Sequence, residues 1–272
     1  MSTSAKFVCV IGSVLLASTP ALSADNLAQP HYKAASAPLP GWTGTYIGGT
    51  VGYRWAESAS SISAIDTVFV PFFQSQGSMP RALDSRLNGA IGGIGFGYNW
   101  QFGQWVTGFE ADFSYAKSAS DAVFHAPQIG ANPETITSHT TELNRFGTAR
   151  ARLGYLATPD TLLFATGGLA YGQAKVTTGI VAEPTQPCAS NVLCSTGTAS
   201  EMLVGWTIGG GLETKIASNW TAKIEYLHFN LGSIGNTATT LTSNTFWRGT
   251  KMIGVDPDIT GNIVRIGVNY QL

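Results

Sequence analysis

The sequence predicts an all-β fold, an eight-stranded antiparallel up-and-down barrel that spans a membrane, with four long extracellular loops and short periplasmic turns. Three observations carry that expectation. Only 11% of the 272 residues are Asp, Glu, Lys or Arg, against roughly a quarter in a soluble domain, while glycine occurs 32 times. Segments of period-two alternation recur along the chain, and after the first 24 residues no apolar run is long enough for a spanning helix, so any crossing must be made by strands. The connections between these segments alternate short and long, as they must when turns gather on one side of a membrane and loops on the other.

Residues 1–24 carry Lys6, an apolar run from Phe7 to Ala17 and small residues before Asp25, the pattern of a secretory signal peptide. Cys9 lies in that run and is expected to leave with it. Residues 25–41, with Pro30, Pro38 and Pro40, read as a periplasmic lead-in, too short for a wall-binding domain. The barrel then occupies 42–272. Loss of Lys6 shifts the formal charge from −1 to −2, and the absence of any basic tract argues against nucleic acid as a partner. Cys188 and Cys194 remain, and in an oxidising compartment their short spacing favours a disulfide closing a small loop. No neighbouring His or second Cys pair completes a zinc site.

The proposed strands follow in order at 43–55, 87–101, 105–116, 143–157, 161–175, 201–216, 220–231 and 262–272. On the second, Ala90, Ile94, Phe96, Tyr98 and Trp100 share one face and Gly93, Gly95, Gly97 and Asn99 the other. On the third, Trp105, Phe109, Phe113 and Tyr115 oppose Glu110 and Asp112. The sixth sets Trp206, Ile208 and Leu212 against Thr207, Gly209, Gly211 and Glu213. The last sets Val264, Ile266, Val268 and Tyr270 against Arg265 and Asn269. The fifth, containing LLFATGGLAYG, is apolar on both faces. Phe102-Gly103-Gln104, Thr158-Pro159-Asp160 and Ala217-Ser218-Asn219 form the short turns; Ser-, Thr-, Ala-, Asn- and Pro-rich segments of about 25 to 30 residues form the long loops, a length uncommon inside a compact soluble domain. Trp100, Trp105, Tyr155, Trp220 and Tyr270 sit beside the short turns or the chain end, as rings of an interfacial girdle do.

WTGTYIGGTVGY at 42–53, RFGTARARLGY at 145–155, LFATGGLAYG at 163–172, VGWTIGGGLE at 204–213, WTAKIEYLHFNLG at 220–232 and VRIGVNYQL at 264–272 together resemble the outer-membrane β-barrel family of α-proteobacterial surface antigens, relatives of the OmpA-type transmembrane domain and of opacity-like porin-family proteins. The resemblance spans all eight strands. It implies a Gram-negative outer-membrane protein surrounded by outer-membrane lipids and lipopolysaccharide and inserted by the barrel assembly machinery through its C-terminal strand; the sequence is compatible with a monomer and does not fix the oligomeric state. Such strands usually end in Phe; this one ends in Leu272, which keeps the apolar character and the face.

An eight-stranded barrel is only wide enough for side chains to fill, so inward charges must pair. The inward parity collects Glu110, Asp112, Glu213 and Glu225 with Arg150, Arg152, Lys223 and Arg265, the expected interior ion-pair cluster. Arg54 and Lys215 share that parity and are expected nearer the mouths. The cluster reads first as a closed polar core and second as an ion path opened by rearranged pairs. The glycine runs have no Lys-Ser/Thr ending and no following helix, so they are not phosphate loops.

For catalysis the candidate bases are His31, His125, His139 and His228, and none has both a nucleophile and an orienting acid beside it in sequence. The expectation is therefore a surface protein rather than an enzyme, contributing to envelope integrity and surface contact, with at most a narrow gated pore. The alternative is a small porin or a ligand receptor acting through its loops. No cofactor is required; haemin is the candidate that the resemblance suggests, held by His125 and His139 with Met79 and Phe124. Phe246, Trp247, Arg248 and Lys251 are placed to meet lipopolysaccharide phosphates or outer headgroups.

Overall fold

The computed structural model describes residues 41–116, 118–128, 133–182, 194–240 and 251–272. Its elements are β1 Gly44–Ala64, α1 Phe69–Ser75, β2 Ser85–Arg86, β3 Gly89–Phe102, β4 Trp105–Tyr115, β5 Ala119–Ala126, β6 Thr135–Thr158, β7 Thr161–Ala182, β8 Cys194–Lys215, β9 Trp220–Ser233, β10 Asn236–Thr240 and β11 Lys251–Gln271. The leader, the lead-in up to residue 40, Cys188 and loop residues Phe246, Trp247 and Arg248 lie outside the described residues.

Eight long strands form a closed antiparallel ring in the order β1, β3, β4, β6, β7, β8, β9, β11. Closure is made by β1 against β11, from Tyr46↔Gln271 to Ala64↔Ile253. The three short connections fall where the sequence places them. At the first, Gly103 has φ 63°, a left-handed conformation that glycine takes without steric cost.

The outward face of the ring carries the apolar belt. On β1, Ile47, Val51, Tyr53 and Trp55 are all exposed; on β3, β4 and β8 so are Ile94, Phe96, Phe109, Phe113, Val204 and Ile208. From Ile47 to Trp55 the strand rises about 26 Å, enough with tilt to match the hydrocarbon layer. Tyr155 packs on Trp105 at 5.3 Å and Trp220 on Tyr270 at 5.0 Å between ring centroids, forming the girdle on the short-turn side.

The long connections depart from the expectation of loops. β1, β6, β7, β8 and β11 continue for many residues past the belt, and β2, β5, β10 and α1 fill in where β3, β4 and β9 stop. The inside-outside alternation does not stop at the belt, but the outward residues become polar. On β1, Trp55 is followed on the same face by Glu57, Ala59, Ser61 and Ser63; on β11, the partners Asn262, Thr260, Asp258 and Asp256 keep pace. Inside this extension, Ile62, Val70, Met79, Leu83, Ile180, Met252, Ile253 and Val255 form an apolar cluster, with α1 supplying Val70. Ser- and Thr-rich strands lack the apolar outer face that marks the others in sequence, so their extension past the belt carries no hydrophobic alternation.

Below the extension the interior is layered. An apolar cluster of Leu87, Ile91, Leu143, Phe146, Leu203, Leu227, Phe229, Leu231 and Ile263 lies on the outer side of the charged residues. Trp42, Val106, Leu156, Leu162 and Phe164 close the short-turn end, and Trp42 Nε1 donates to the Pro159 carbonyl at 3.2 Å. Leu162 and Phe164 explain the two-faced apolar character of the fifth proposed strand: its inner face serves this layer.

Candidate functional site

The eight charged residues singled out by parity are all buried inside the ring. β4 contributes Glu110 and Asp112, β6 Arg150 and Arg152, β8 Glu213, β9 Lys223 and Glu225, and β11 Arg265. Their cross-strand register explains how they meet: Glu110 is opposite Arg150, Glu213 opposite Lys223, and Glu225 opposite Arg265.

Two groups result. Arg150 is the hub of the larger, reaching Glu110 Oε1 and Glu225 Oε1 at 2.5 Å each and Asp112 Oδ2 at 3.0 Å. Arg265 spans the same acids from the other side, with Nε 2.7 Å from Glu225 Oε2 and Nη2 3.0 Å from Asp112 Oδ2. Lys223 Nζ donates to both oxygens of Glu110, at 2.9 and 2.8 Å. The smaller group joins Arg152 to Glu213, and the Arg152 guanidinium lies 3.9 Å from the centroid of the Phe164 ring. Four carboxylates thus face four cations in a water-poor space, where any one charge without its partners would be strongly destabilising.

Neutral groups complete the cluster, of which the sequence reading places only Asn269 on an inward face. The Tyr46 hydroxyl donates to Glu110 Oε2 at 2.8 Å, and Thr148 to Asp112 Oδ2 at 2.5 Å. Glu213 accepts from Thr221 and from Asn269 Nδ2, the latter at 2.7 Å. All four have inward parity, which is the signal that finds them; being uncharged, they impose no requirement to pair. Beside Glu213 a residual space of about 10 Å³ remains, lined by Tyr46, Asn99, Thr221 and Asn269, about the room of one water.

Arg54 departs from the expectation of a position near a mouth. Because β1 runs on past it, Arg54 is fully buried, and its Nη2 donates to the Leu143 carbonyl at 2.8 Å. Its Nε and Nη1 have no hydrogen-bond partner among the described residues. Lys215 does lie at the short-turn end, with Nζ 5.1 Å from the Trp42 ring centroid.

The structure does not bring His125 and His139 together. His125 points outward from β5 and contacts Glu134, whereas His139 is buried inside β6. Opposite faces of one sheet cannot offer both imidazoles to a single iron, and Met79, the proposed neighbour, is itself buried in the apolar cluster of the extension. His139 instead belongs to a hydroxyl layer: Nε2 meets Ser60 Oγ at 3.1 Å and Thr141 Oγ1 at 3.0 Å, and Nδ1 meets Thr178 Oγ1 at 3.1 Å. Burial holds its imidazole below the ordinary value of 6.5. His228 faces outward, 5.4 Å from the Trp206 ring, with Nδ1 2.9 Å from Asn262 Oδ1. Cys194 is disulfide-bonded, while Cys188, its expected partner, lies outside the described residues.

A closed ring with a lipid-type outer belt and a charge-paired interior is a membrane barrel in its geometry, and sequence comparison gives it a family. Residues 14–271 match the family described as "Outer membrane protein beta-barrel domain". The chain belongs to that family. It is 30% identical over 268 residues to the 31 kDa outer-membrane immunogenic protein of Brucella melitensis, covering 95% of this chain and 99% of that one. It is also 29% identical over 238 residues to the 25 kDa outer-membrane immunogenic protein of Brucella abortus, covering 86% and 87% of the two chains. Among solved structures, Neisserial surface protein A shares 13% identity at a TM-score of 0.38, over 85% of this chain and 98% of that one. The outer-membrane barrel therefore resides in the Gram-negative outer membrane, with its apolar belt against the lipid.

Proposed function

We propose that this outer-membrane barrel is a non-conducting surface protein that anchors a rigid extracellular β extension and so contributes to envelope integrity and surface contact. The observation that carries the reading is the layered interior, in which the ion-pair cluster is stacked between the apolar layer of Trp42, Leu162 and Phe164 and that of Phe146, Leu227 and Phe229. Moving an ion along the axis would require separating Arg150 from three acids and displacing side chains in both apolar layers. Every wall strand in the membrane pairs within this one chain, which supports a monomer as the working unit. β11, whose outward face carries Ile266, Val268 and Tyr270, is the segment proposed to engage the assembly machinery.

Catalysis gains no support from the geometry. Ser60 and His139 approach each other, but both are buried, and the group on the far imidazole nitrogen is the Thr178 hydroxyl where a hydrolytic triad would place a carboxylate. The test of the proposal is planar-bilayer recording of the purified mature protein. The expected result is a silent membrane; reproducible porin-sized steps, changed in size or ion selectivity by Glu110→Ala, would refute the closed interior and favour the pore.

A further inference from the structure

The barrel wall is closed throughout its membrane portion, but among the described residues its extracellular continuation is open at one place. Outside the belt the ring runs β2, β1, β11, β10, β8, β7, β6, β5, with β10 bridging β8 and β11 where β9 has ended. Among the described residues β2 pairs only with β1, and β5 only with β6. No strand of the described residues joins β2 to β5. Between them the Arg86 backbone N–H donates to the Ser120 hydroxyl at 3.1 Å, a side chain standing where a ladder partner would be.

An unpaired edge is a template for another strand. β5 pairs β6 along its full length, Ala119↔Glu142 to Ala126↔Thr135, so its backbone is already extended and held flat along eight residues. Beside it an open groove of about 510 Å³ is lined by Glu57, Ala59, Asp84, Ser85, Arg86, Ser120, Asp121 and Ala122. Three carboxylates and one guanidinium give that groove a negative balance. Behind the opening, Phe73, Ala122 and Phe124 are only partly buried against the apolar cluster of the extension, although side chains deeper in the same cluster are fully covered. A strand laid along β5 would place alternate side chains over those residues and the others against the acidic rim.

We infer that the β2–β5 opening is a strand-addition site for an extended, basic segment of a partner protein, bound through β5 backbone hydrogen bonds with alternating cationic and apolar side chains. The inference deepens the surface-contact reading and rests on it for the outward orientation of this end. Pairing gives the affinity, and the carboxylates of Glu57, Asp84 and Asp121 select for a basic sequence.

The test uses the intact protein in detergent micelles and a fluorescent ten-residue peptide of alternating Lys and Val, read by anisotropy and by amide hydrogen exchange. This is independent of bilayer conductance, so either reading can fail alone. Saturable binding is expected, with protection of amides in 119–126 and a loss of at least about tenfold in affinity when alternate peptide nitrogens are methylated, since those can no longer donate to the edge. Asp84→Lys with Asp121→Lys is expected to weaken binding severalfold while heat-dependent gel mobility stays unchanged. Closing the opening with Arg86→Cys and Ser120→Cys is expected to abolish binding until reductant is added, with the parent protein unaffected by the same reductant. Equal binding of the methylated peptide would reduce the interaction to surface charge and overturn the proposal. So would protection elsewhere than β5, or no binding.

Discussion

Within the belt, the wall of this outer-membrane barrel is apolar outside and carries paired charges inside; in the extracellular extension it is polar outside and uncharged inside, where an apolar cluster lies with a hydroxyl layer around His139. A single strand shows both. β1 presents Ile47, Val51, Tyr53 and Trp55 to lipid and then Glu57, Ala59, Ser61 and Ser63 to water, while its inner face passes from Tyr46, at the ion pairs, to Ile62, at the capping cluster. Backbone pairing with β11 runs unbroken through the change. Hydrogen bonding of the wall therefore tells nothing about its surroundings, which are set by the side chains alone. In lipid the outer face needs no partner and the inner face must satisfy its charges internally. In water the inner face takes over the role of a conventional core, and α1 with its Val70 helps close it.

If stability inside the belt depends on paired charge, removing the hub should have the largest effect. Arg150→Ala leaves Glu110, Asp112 and Glu225 short of a cation, and a loss of about 3–5 kcal/mol is expected in urea unfolding of the refolded protein in micelles. A loss below about 1 kcal/mol would mean that water or counter-ions already reach the cluster.

Paired substitutions on one strand probe the boundary itself. Val51→Lys puts a cation on the lipid face and should cost about 2–4 kcal/mol in lipid vesicles, whereas Ser61→Lys, on the same face beyond Trp55, should stay within about 0.5 kcal/mol of the parent. Equal costs would erase the distinction between the two regions.

The smallest effect concerns the hydroxyl layer around His139. Its imidazole is held neutral by burial, so the unfolded chain accepts a proton below the ordinary value of 6.5 that the folded extension resists. Stability of the extension from this group is complete above that pH and declines as pH falls below it, until the folded imidazole itself protonates. Proteolysis within the extension should be severalfold faster at about pH 5 than at about pH 7.5, and the difference should shrink in His139→Gln.

How much could be read from the sequence follows the same division. In the belt, period-two alternation with large apolar residues on one face marks the strands except the fifth, whose LLFATGGLAYG is apolar on both faces because Leu162 and Phe164 serve an inner apolar layer, and the same parity picks out Glu110, Arg150 and their partners as inward. Arg54 was placed near a mouth, and His139 in a loop, for one reason: past Trp55 the outward residues are Ser, Thr, Ala and Asp, so alternation in hydrophobicity fades although alternation in space continues. Ser58, Ser60 and Thr141 are buried polar residues facing inward, which period-two hydrophobicity cannot flag. The pairing of His139 with Ser60 depends on strands 79 residues apart in sequence and had no local signal.

The inversion of the wall is tested by nitroxide labels placed one at a time at positions 47, 49, 51, 53, 55, 57, 59, 61 and 63 of β1, and at 58, 60 and 62 for the opposite parity, in the protein reconstituted in lipid vesicles. Collision with oxygen, which concentrates in lipid, is compared with collision with a water-soluble nickel chelate. Oxygen-dominated signals are expected from Ile47 through Trp55 and chelate-dominated signals from Glu57 onward, with 58, 60 and 62 shielded from both. Loss of that period-two shielding beyond Trp55, or lipid-like accessibility at Ser61, would contradict it.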